Sequence, residues 1–490
     1  MTQNNDDQAA TPLLDALIAQ QKHERISAHV PGHKQGHGLL STLARYAGPL
    51  AQLDATEVPG LDDLHHADGV IAKAQQLAAK AFGTEETYFL VAGSTGGNLA
   101  AILAVVDPSD VVIVGRNAHQ SVWNALVLAQ AQRVSVTPVV WHALQGHAKI
   151  AGGLSVTAIQ EALVCTKQAR ALILTSPSYD GFVSDLPAIV QLAHQAGLIV
   201  IVDEAHGVHL PFHPQLPMSA IAAGADLVIQ SAHKMGAGFT QTAFLHVQGS
   251  RVDRLRLQET LRIVQSSSPS YLLMASLDAM RSQLACHGEE LLNLTLTELE
   301  AQKLRLHEAC QGLLVDVLDT AIQDPMKWIL HAERLHLTGF ELERVLREQF
   351  GIYSEYTSEY HVLLSWSYGN ATRDFKKTVD ALIHVVSQVP SLGRAMSWEL
   401  RHASMPVSDV LHVLTLHERK AGAFMSLSLA VGHRVVDPVT IYPPGIPLLL
   451  PGETFQKEHI EILTPVLDNG IRVDGIVYDE EYQVRCLASL

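Results

Sequence analysis

LVIQSAHKMGAGFTQTAFLHV, residues 227–247, is the stretch that decides the fold. Its first residues are apolar and typical of a buried strand, which ends in a polar run that contains Lys234. A glycine-containing turn and a second apolar strand segment, 242–247, follow. A lysine at the end of a buried strand is partly desolvated, which lowers its pKa. The free amine, which reacts with aldehydes, is then favoured. A single lysine at such a place is more often an exposed surface residue, so a reactive role requires partners elsewhere in the chain.

Apolar segments of strand length alternate with helical patterns on the N-terminal side of this stretch. The strand segments are 88–91, 111–114, 134–140, 171–174 and 198–202. Helical patterns separate most of them, at 71–82, 99–106, 119–132, 155–166 and 185–195. Apolar strands that alternate with helices are typical of a sheet covered on both faces. We therefore predict an α/β fold with a large, mostly parallel sheet.

The composition limits the classes of function. Apolar residues make up 47% and charged residues 17% of the 490 residues, which is typical of a globular protein with a large core. The net charge of −16 argues against nucleic-acid binding, and no apolar run reaches the roughly 18 residues of a membrane span. Four scattered cysteines and a polar N-terminus predict a cytoplasmic location. His29, His33 and His37 are interrupted by proline and glycine, so no metal site is predicted.

Changes in pattern along the chain predict four parts. They are an N-terminal arm with active-site loops (1–70), a large cofactor-binding domain (71–285), a small α/β domain (286–388) and a C-terminal domain (389–490). The third part begins within a long helical stretch that we expect from about 272 to 313.

Three further sites follow predicted strands. Gly93-Ser-Thr-Gly-Gly opens a helix and can cradle a phosphate, or it can be a plain helix start. Asp203 ends a buried strand, where a carboxylate can pair with a protonated ring nitrogen or cap a loop. His119 can stack on a planar ligand or cap the next helix. Together with Lys234, these are the parts that pyridoxal 5′-phosphate (PLP) requires.

The chain also resembles the PLP-dependent ornithine/lysine/arginine decarboxylases of fold type I, in their short bacterial form. The resemblance covers nearly the whole chain, and its motifs are HVPGHKQG (29–36), TEVPGLDDLH (56–65), GSTGGN (93–98), RNAHQSV (116–122), SPSYDGFVSDL (176–186), DEAHG (203–207), SAHK (231–234), SSSPSYLLMASLD (266–278) and YPPGIPLLLPGE (442–453). It implies a seven-stranded type of sheet, PLP as the cofactor, and a homodimer or higher homo-oligomer with shared active sites.

The resemblance also implies roles for single residues. Lys234 would carry PLP, and Asp203, His119 and Ala205 would contact its ring. The residues that would bind phosphate are Ser94, Thr95, Gly96, Ser231, His233 and, from the other subunit, Ser266. His206 or His233, or Lys234 itself, would return a proton to the substrate, and Glu355 would meet its distal cation.

The sequence departs from the family pattern at a few places. Gly96 replaces a usual serine or threonine, and Ser266 stands where many relatives have threonine. The N-terminal wing of the long relatives is lacking, so we do not expect their decamer.

The reaction that we expect is decarboxylation of a basic L-amino acid to the corresponding amine. Lysine or arginine is favoured and ornithine is possible, because Glu355, Glu359 and the Asp62–Asp63 pair could each receive an ammonium or a guanidinium group. Transamination on the same scaffold, or a cofactor-binding protein without turnover, is the alternative.

Overall fold

The computed structural model describes residues 5–22, 26–143, 149–315, 323–392, 398–401 and 407–487. The chain forms two compact units, and each is built from two separate stretches. The first unit comprises Met1–Val105 and Ile199–Asn293, and the second comprises Val106–Leu198 and Leu294–Leu490.

In the described residues, the α-helices alternate with strands over most of the chain. They are α1 Asn5–Gln8, α2 Pro12–Gln21, α3 Ser41–Leu53, α4 Val70–Phe82, α5 Gly93–Val105, α6 Gln120–Ala129, α7 Val156–Cys165, α8 Leu186–Gln195, α9 Arg254–Val264, α10 Tyr271–Ala309, α11 Gly339–Phe350, α12 Thr372–Gln388, α13 Leu427–Ala430 and α14 Lys457–Asp468.

The strands of the same ranges are short, and β2, β7, β8 and β9 of the main sheet are completely buried. They are β1 Glu86–Leu90, β2 Val111–Gly115, β3 Gln132–Val136, β4 Val140–Ala143, β5 Lys149–Ala151, β6 Ala169–Thr175, β7 Ile199–Asp203, β8 Leu227–Ser231, β9 Ala243–Val247, β10 Lys327–His331, β11 Tyr356–Thr357, β12 His361–Ser365, β13 Trp398–Arg401, β14 Leu411–His412, β15 Gly422–Ser426, β16 Val439–Ile441, β17 Ile446–Leu449, β18 Val473–Asp474, β19 Ile476–Asp479 and β20 Glu481–Leu487.

The main sheet has eight strands in the order β1-β9-β8-β7-β6-β2-β3-β14. In the first unit β7 and β8 are parallel, whereas β9 runs antiparallel to both β8 and β1. In the second unit β2 is parallel to β6 and β3, and β14 is antiparallel to β3. The predicted α/β class is confirmed.

The sheet is mostly parallel, as expected; β9 and β14 run antiparallel to their neighbours, and there is one strand more than in the expected seven-stranded type. Strand β9 follows β8 after an eleven-residue turn rather than a crossover helix, and a short connection of this kind joins antiparallel neighbours. Strand β14 contributes two exposed residues, which gave no apolar pattern to detect. The expected strand 134–140 is two strands of different sheets, because Pro138 between them has no N–H for a ladder.

The long helical stretch expected at about 272–313 is a single helix, α10. Its first turns lie in the first unit, where the buried Arg281 and Asp278 form an ion pair of 2.6 Å. Arg281 also donates to the backbone oxygens of Gln8 and Ala10, which fixes the N-terminal segment to this unit. The predicted division into four parts stays a prediction.

The C-terminal part of the second unit has two small three-stranded sheets, β15-β20-β19 and β17-β16-β18. Apolar side chains from both sheets and from α14 share one buried cluster, which includes Val439, Phe455 and Val484. Among the residues described above, no helix is long and apolar enough to cross a membrane.

Candidate active site

The carboxyl ends of β7 and β8 bring several predicted site residues together in the first unit. Asp203 ends β7, and Ser231 ends β8 beside it. Three residues further on, the Nζ atom of Lys234 lies 3.2 Å from Nε2 of the buried His206. We call the group formed by Ser94, Asn98, Asp203, His206, Ser231 and Lys234 the lysine edge.

Asp203 is 3% exposed, and both of its carboxylate oxygens accept hydrogen bonds. Oδ2 accepts from Nδ2 of Asn98 at 2.9 Å, and Oδ1 accepts from the backbone N–H of Ala205 at 3.2 Å. These donors stabilise the negative charge of a buried carboxylate. Asn98 is a site residue that was not predicted from the sequence, although it follows Ser94 by four positions and thus lies on the same face of α5.

The predicted phosphate cradle is the N-terminus of α5, which begins at Gly93 with φ +68°. The hydroxyl of Ser231 donates to that of Ser94 at 3.0 Å, so two hydroxyl groups lie next to the N–H groups of the first turn. A Cβ on Gly96 would lie 2.8 Å from that of Ala92. This position is closely packed, and the N–H of Gly96 donates to the carbonyl oxygen of Ala92 at 3.2 Å.

The other predicted residues of this unit surround the same strand ends or lie on a separate turn. Thr95 is exposed at the start of α5, and Ala205 is buried directly after β7. Nδ1 of His233 lies 3.1 Å from the carbonyl oxygen of Thr242 and therefore carries a proton. Ser266 is exposed between α9 and α10, and its carbonyl oxygen lies 2.9 Å from Nε2 of His65. The role predicted for Ser266 is to bind the phosphate in the active site of a second subunit.

Beneath the lysine edge, a buried polar chain links the same two strands. Glu204 accepts from Nε2 of Gln230 at 2.6 Å and from the backbone N–H of Ala220 at 2.7 Å. Oε1 of Gln230 lies 3.1 Å from Nε2 of His246. Burial raises the pKa of Glu204 to about 8 and lowers the pKa of His246 to about 3. Because Glu204 follows Asp203, this contact ties the end of β7 to that of β8.

His119 lies in the second unit, where it caps α6. Its Nδ1 accepts from the backbone N–H of Ser121 at 3.2 Å, so the neutral ring carries its proton on Nε2. Gly445 of the YPPGIP motif has φ +79°, and a Cβ there would lie 2.9 Å from Nε2 of His119. The carbonyl oxygen of Gly445 also accepts from the N–H of Gln120 at 2.9 Å. His119 thus caps α6, which is one of the two roles that its sequence position allows. Its Nε2 faces the YPPGIP loop.

Glu355, also in the second unit, accepts a hydrogen bond from the hydroxyl of Tyr179 at 2.5 Å. Burial, and then the charge of Glu355, raise the pKa of Tyr179 well above its usual range. Tyr179 therefore remains a donor at physiological pH. Tyr179 lies within the SPSYDGFVSDL motif, but its role could not be predicted, because residues 176 positions apart show no pairing in a single sequence.

Comparison with known proteins now adds to this geometry. The pattern of the Orn/Lys/Arg decarboxylase major domain matches residues 11–341, and that of the C-terminal domain matches residues 405–467. The chain is 34% identical to an arginine decarboxylase of Halalkalibacterium halodurans over 479 residues, which cover 96% of each chain. It belongs to the Orn/Lys/Arg decarboxylase family.

A second relative agrees with this membership, and a solved structure shares the fold. An arginine decarboxylase of Bacillus subtilis is 34% identical over 475 residues, which again cover 96% of each chain. The solved structure of lysine decarboxylase A from Pseudomonas aeruginosa matches with a TM-score of 0.80 at 20% identity, over 99% of this chain and 81% of that one. The predicted family and enzyme class, a PLP-dependent amino-acid decarboxylase, are confirmed, whereas the roles of single residues stay predictions.

Within this Orn/Lys/Arg decarboxylase, the rival receptors for a substrate cation have structural partners. Asp62 accepts hydrogen bonds from five backbone N–H groups at and before the start of α4. Burial alone would raise the pKa of Asp62, but these donors lower it below the usual value. Asp63 accepts from the N–H of His65 at 2.8 Å. The Asp62–Asp63 pair therefore has a structural role in this loop, and which acidic residue receives the substrate cation stays a prediction.

Within the described ranges, no group of three or more His, Cys, Asp or Glu side chains could hold a metal ion.

Proposed function

We propose that this chain decarboxylates a basic L-amino acid, with arginine as the preferred substrate and PLP as the cofactor. The observation that carries the proposal is the pairing of Lys234 with His206, at 3.2 Å, on the strand edge that also carries Asp203. A lysine, a buried carboxylate and a helix N-terminus at one edge are the three anchors that an aldehyde, a pyridine nitrogen and a phosphate need.

The residues present fit PLP. The hydroxyls of Ser94 and Ser231, 3.0 Å apart, and the N–H of Thr95 would hold the phosphate at the start of α5, with Gly96 beside them. His233 and, from a second subunit, Ser266 would add to this anchor. Asp203, oriented by Asn98, would hold a proton on the ring nitrogen, next to Ala205.

PLP, when bound, supplies an aldehyde that holds the substrate amine and a conjugated ring that takes up the electron pair released with CO₂. The chain supplies orientation and charge. Lys234 is the amine that releases its place to the substrate, and His206, within hydrogen-bond distance of Lys234, can exchange a proton with it. Lys234, His206 and His233 are the candidates to return a proton to Cα. His119, with its ring fixed by Ser121, would stack on the cofactor.

Arginine is favoured over lysine and ornithine for two reasons. The relatives at 34% identity are named arginine decarboxylases. A guanidinium group also matches a carboxylate such as Glu355 with two parallel hydrogen bonds, which an ammonium group cannot form. We further propose that Glu355 receives this distal cation, that the active site is completed in a homodimer or larger homo-oligomer, and that the protein is cytoplasmic.

The test is mass spectrometry of the amines formed from an equimolar mixture of arginine, lysine and ornithine, with CO₂ release measured in parallel. Agmatine is expected to exceed cadaverine and putrescine. Formation of keto acids in place of CO₂ would establish transamination instead. A lack of any turnover, with PLP retained, would point to a binding protein.

Lys234→Ala is the matching variant. We expect no detectable CO₂ release, because the amine that carries PLP is gone. For the same reason, the absorbance spectrum of PLP should not shift when PLP is mixed with the variant. Arg262→Ala, an exposed substitution on α9, serves as the control and should retain turnover. Full turnover by Lys234→Ala would refute the assignment of the lysine.

A further inference from the structure

Two dipeptides in the second unit, Tyr179-Asp180 and Glu355-Tyr356, form a reciprocal pair of tyrosine–carboxylate hydrogen bonds. The hydroxyl of Tyr179 donates to Oε1 of Glu355 at 2.5 Å, and that of Tyr356 donates to Oδ1 of Asp180 at 3.0 Å. The two tyrosine rings meet edge to face, with their centroids 5.5 Å apart. Each dipeptide therefore gives one donor and one acceptor to the other. We call these four residues the crossed pair.

Both backbones of the crossed pair are held in place. The N–H of Glu355 donates to the carbonyl oxygen of Leu363 at 2.9 Å, at the start of the pairing between β11 and β12. On the other side, Gly181 has φ +90°, and a Cβ there would lie 2.8 Å from the side chain of Lys327. The turn that carries Tyr179 is therefore fixed against β10.

The two halves of the crossed pair differ in exposure. Asp180 is 7% exposed, and the hydroxyl of Tyr356 also lies 2.5 Å from Nε2 of the buried His361. Burial raises the pKa of Asp180 to about 6 and lowers the pKa of His361 to about 4. This half is closed and structural.

The other half is open. Glu355 and Tyr179 are only partly buried, and no residue in the described ranges donates a hydrogen bond to Oε2 of Glu355. Oε1 of this carboxylate is thus held by a tyrosine, while Oε2 and the second lone pair of Oε1 can accept the two parallel hydrogen bonds of a guanidinium group. A carboxylate held in a single orientation loses less conformational entropy when it binds a cation.

We propose that Tyr179 is the positioning residue of the distal-cation site: its hydroxyl holds Glu355 ready for the cationic end of the substrate. The inference rests on the proposed function, because it takes Glu355 as the receptor of that cation.

Tyr179→Phe removes the hydroxyl and keeps the ring. We expect the KM for arginine to rise about tenfold, the loss typical of one hydrogen bond to a charged group, while kcat stays within about twofold. The inhibition constant of citrulline, which has the same length but no charge, should stay unchanged. A purely structural loss would weaken arginine and citrulline alike.

Tyr360→Phe is the matched control, because the hydroxyl of Tyr360 interacts with Glu359, the other candidate acid. It should leave the KM for arginine unchanged. A rise in KM for Tyr360→Phe but not for Tyr179→Phe would overturn the inference in favour of Glu359. An equal loss of arginine and citrulline binding, or a fall in kcat alone, would overturn it as well.

Wild-type turnover is measured first. If the wild type releases no CO₂ from any basic amino acid, the proposed function fails, and this inference fails with it. If the wild type is active and Tyr179→Phe has an unchanged KM, only the inference fails.

Discussion

The lysine edge of the first unit and the crossed pair of the second unit hold their carboxylates in different ways. Asp203 is fixed by its place at the end of β7, and one of its two donors is a backbone N–H. Glu355 receives its hydrogen bond from the side chain of Tyr179. Asp203 thus has one donor that no side-chain substitution can remove, whereas the hydrogen bond of Glu355 depends on a single side chain. The first arrangement is suited to a residue that takes part in the reaction itself, and the second is suited to a residue that selects the substrate.

The largest expected effect tests the first side of this comparison. Asp203→Asn keeps the shape of the side chain but removes its charge, and kcat/KM should fall by about 100-fold or more with PLP present in excess. Asp226→Asn is the control, because Asp226 is a buried carboxylate that binds the N–H of Val200 at the opposite end of these strands. Its variant should lose stability but keep its activity. Activity of Asp203→Asn within tenfold of the wild type would argue against a role at the ring nitrogen.

A smaller effect is expected for the residue that orients Asp203. Asn98→Ala removes the 2.9 Å hydrogen bond to Oδ2, and kcat/KM should fall by about tenfold. Thr260→Val removes another buried hydrogen bond to α5, at 3.0 Å to the carbonyl oxygen of Ala100, without touching Asp203. Equal losses of activity in the two variants would mean that α5 is merely loosened. The losses expected for Asn98→Ala and Tyr179→Phe are similar in size, about tenfold. They differ in kind, because only Tyr179→Phe should weaken arginine without weakening citrulline.

The smallest effect concerns the buried contact beneath the lysine edge. The pKa of Glu204 is about 8 in the folded chain, against 4.5 as its ordinary value. The folded state therefore binds more protons than the unfolded state between these values, and this group makes the protein less stable as pH rises from about 4.5 to 8. In Glu204→Gln this contribution is absent, so urea midpoints at pH 5 and pH 8.5 should differ less than in the wild type. An unchanged difference would show that Glu204 does not titrate in this range.

Local patterns made much of the lysine edge predictable. Asp203 and Lys234 follow apolar strands, and the glycine-rich start of α5 is a continuous motif, so each can be recognised within a few residues. Asn98 lies in the same motif, but its role depends on the rotation of α5 against β7, which no local pattern contains.

The crossed pair and the acidic loop were less predictable, and for physical reasons. The contact between Tyr179 and Glu355 joins distant parts of the chain and depends on how β10, β11 and β12 pack. Asp62 looked like a receptor for a cation because acidic residues in loops usually face water. In the folded chain its carboxylate is instead occupied by backbone N–H groups, whose positions depend on where α4 begins.

Neither compact unit is a continuous piece of the sequence, and this has a consequence for how the protein is made on the ribosome. The first unit needs residues up to Asn293 before its second stretch is complete, by which time all of Val106–Leu198 has already left the ribosome. The second unit, in turn, must wait for the C-terminal stretch that starts at Leu294. Ser94 and Asn98 are thus synthesised more than a hundred residues before Asp203, the carboxylate that Asn98 orients. During synthesis the N-terminal half must stay without its final partners, and no single proteolytic cut can release either unit intact.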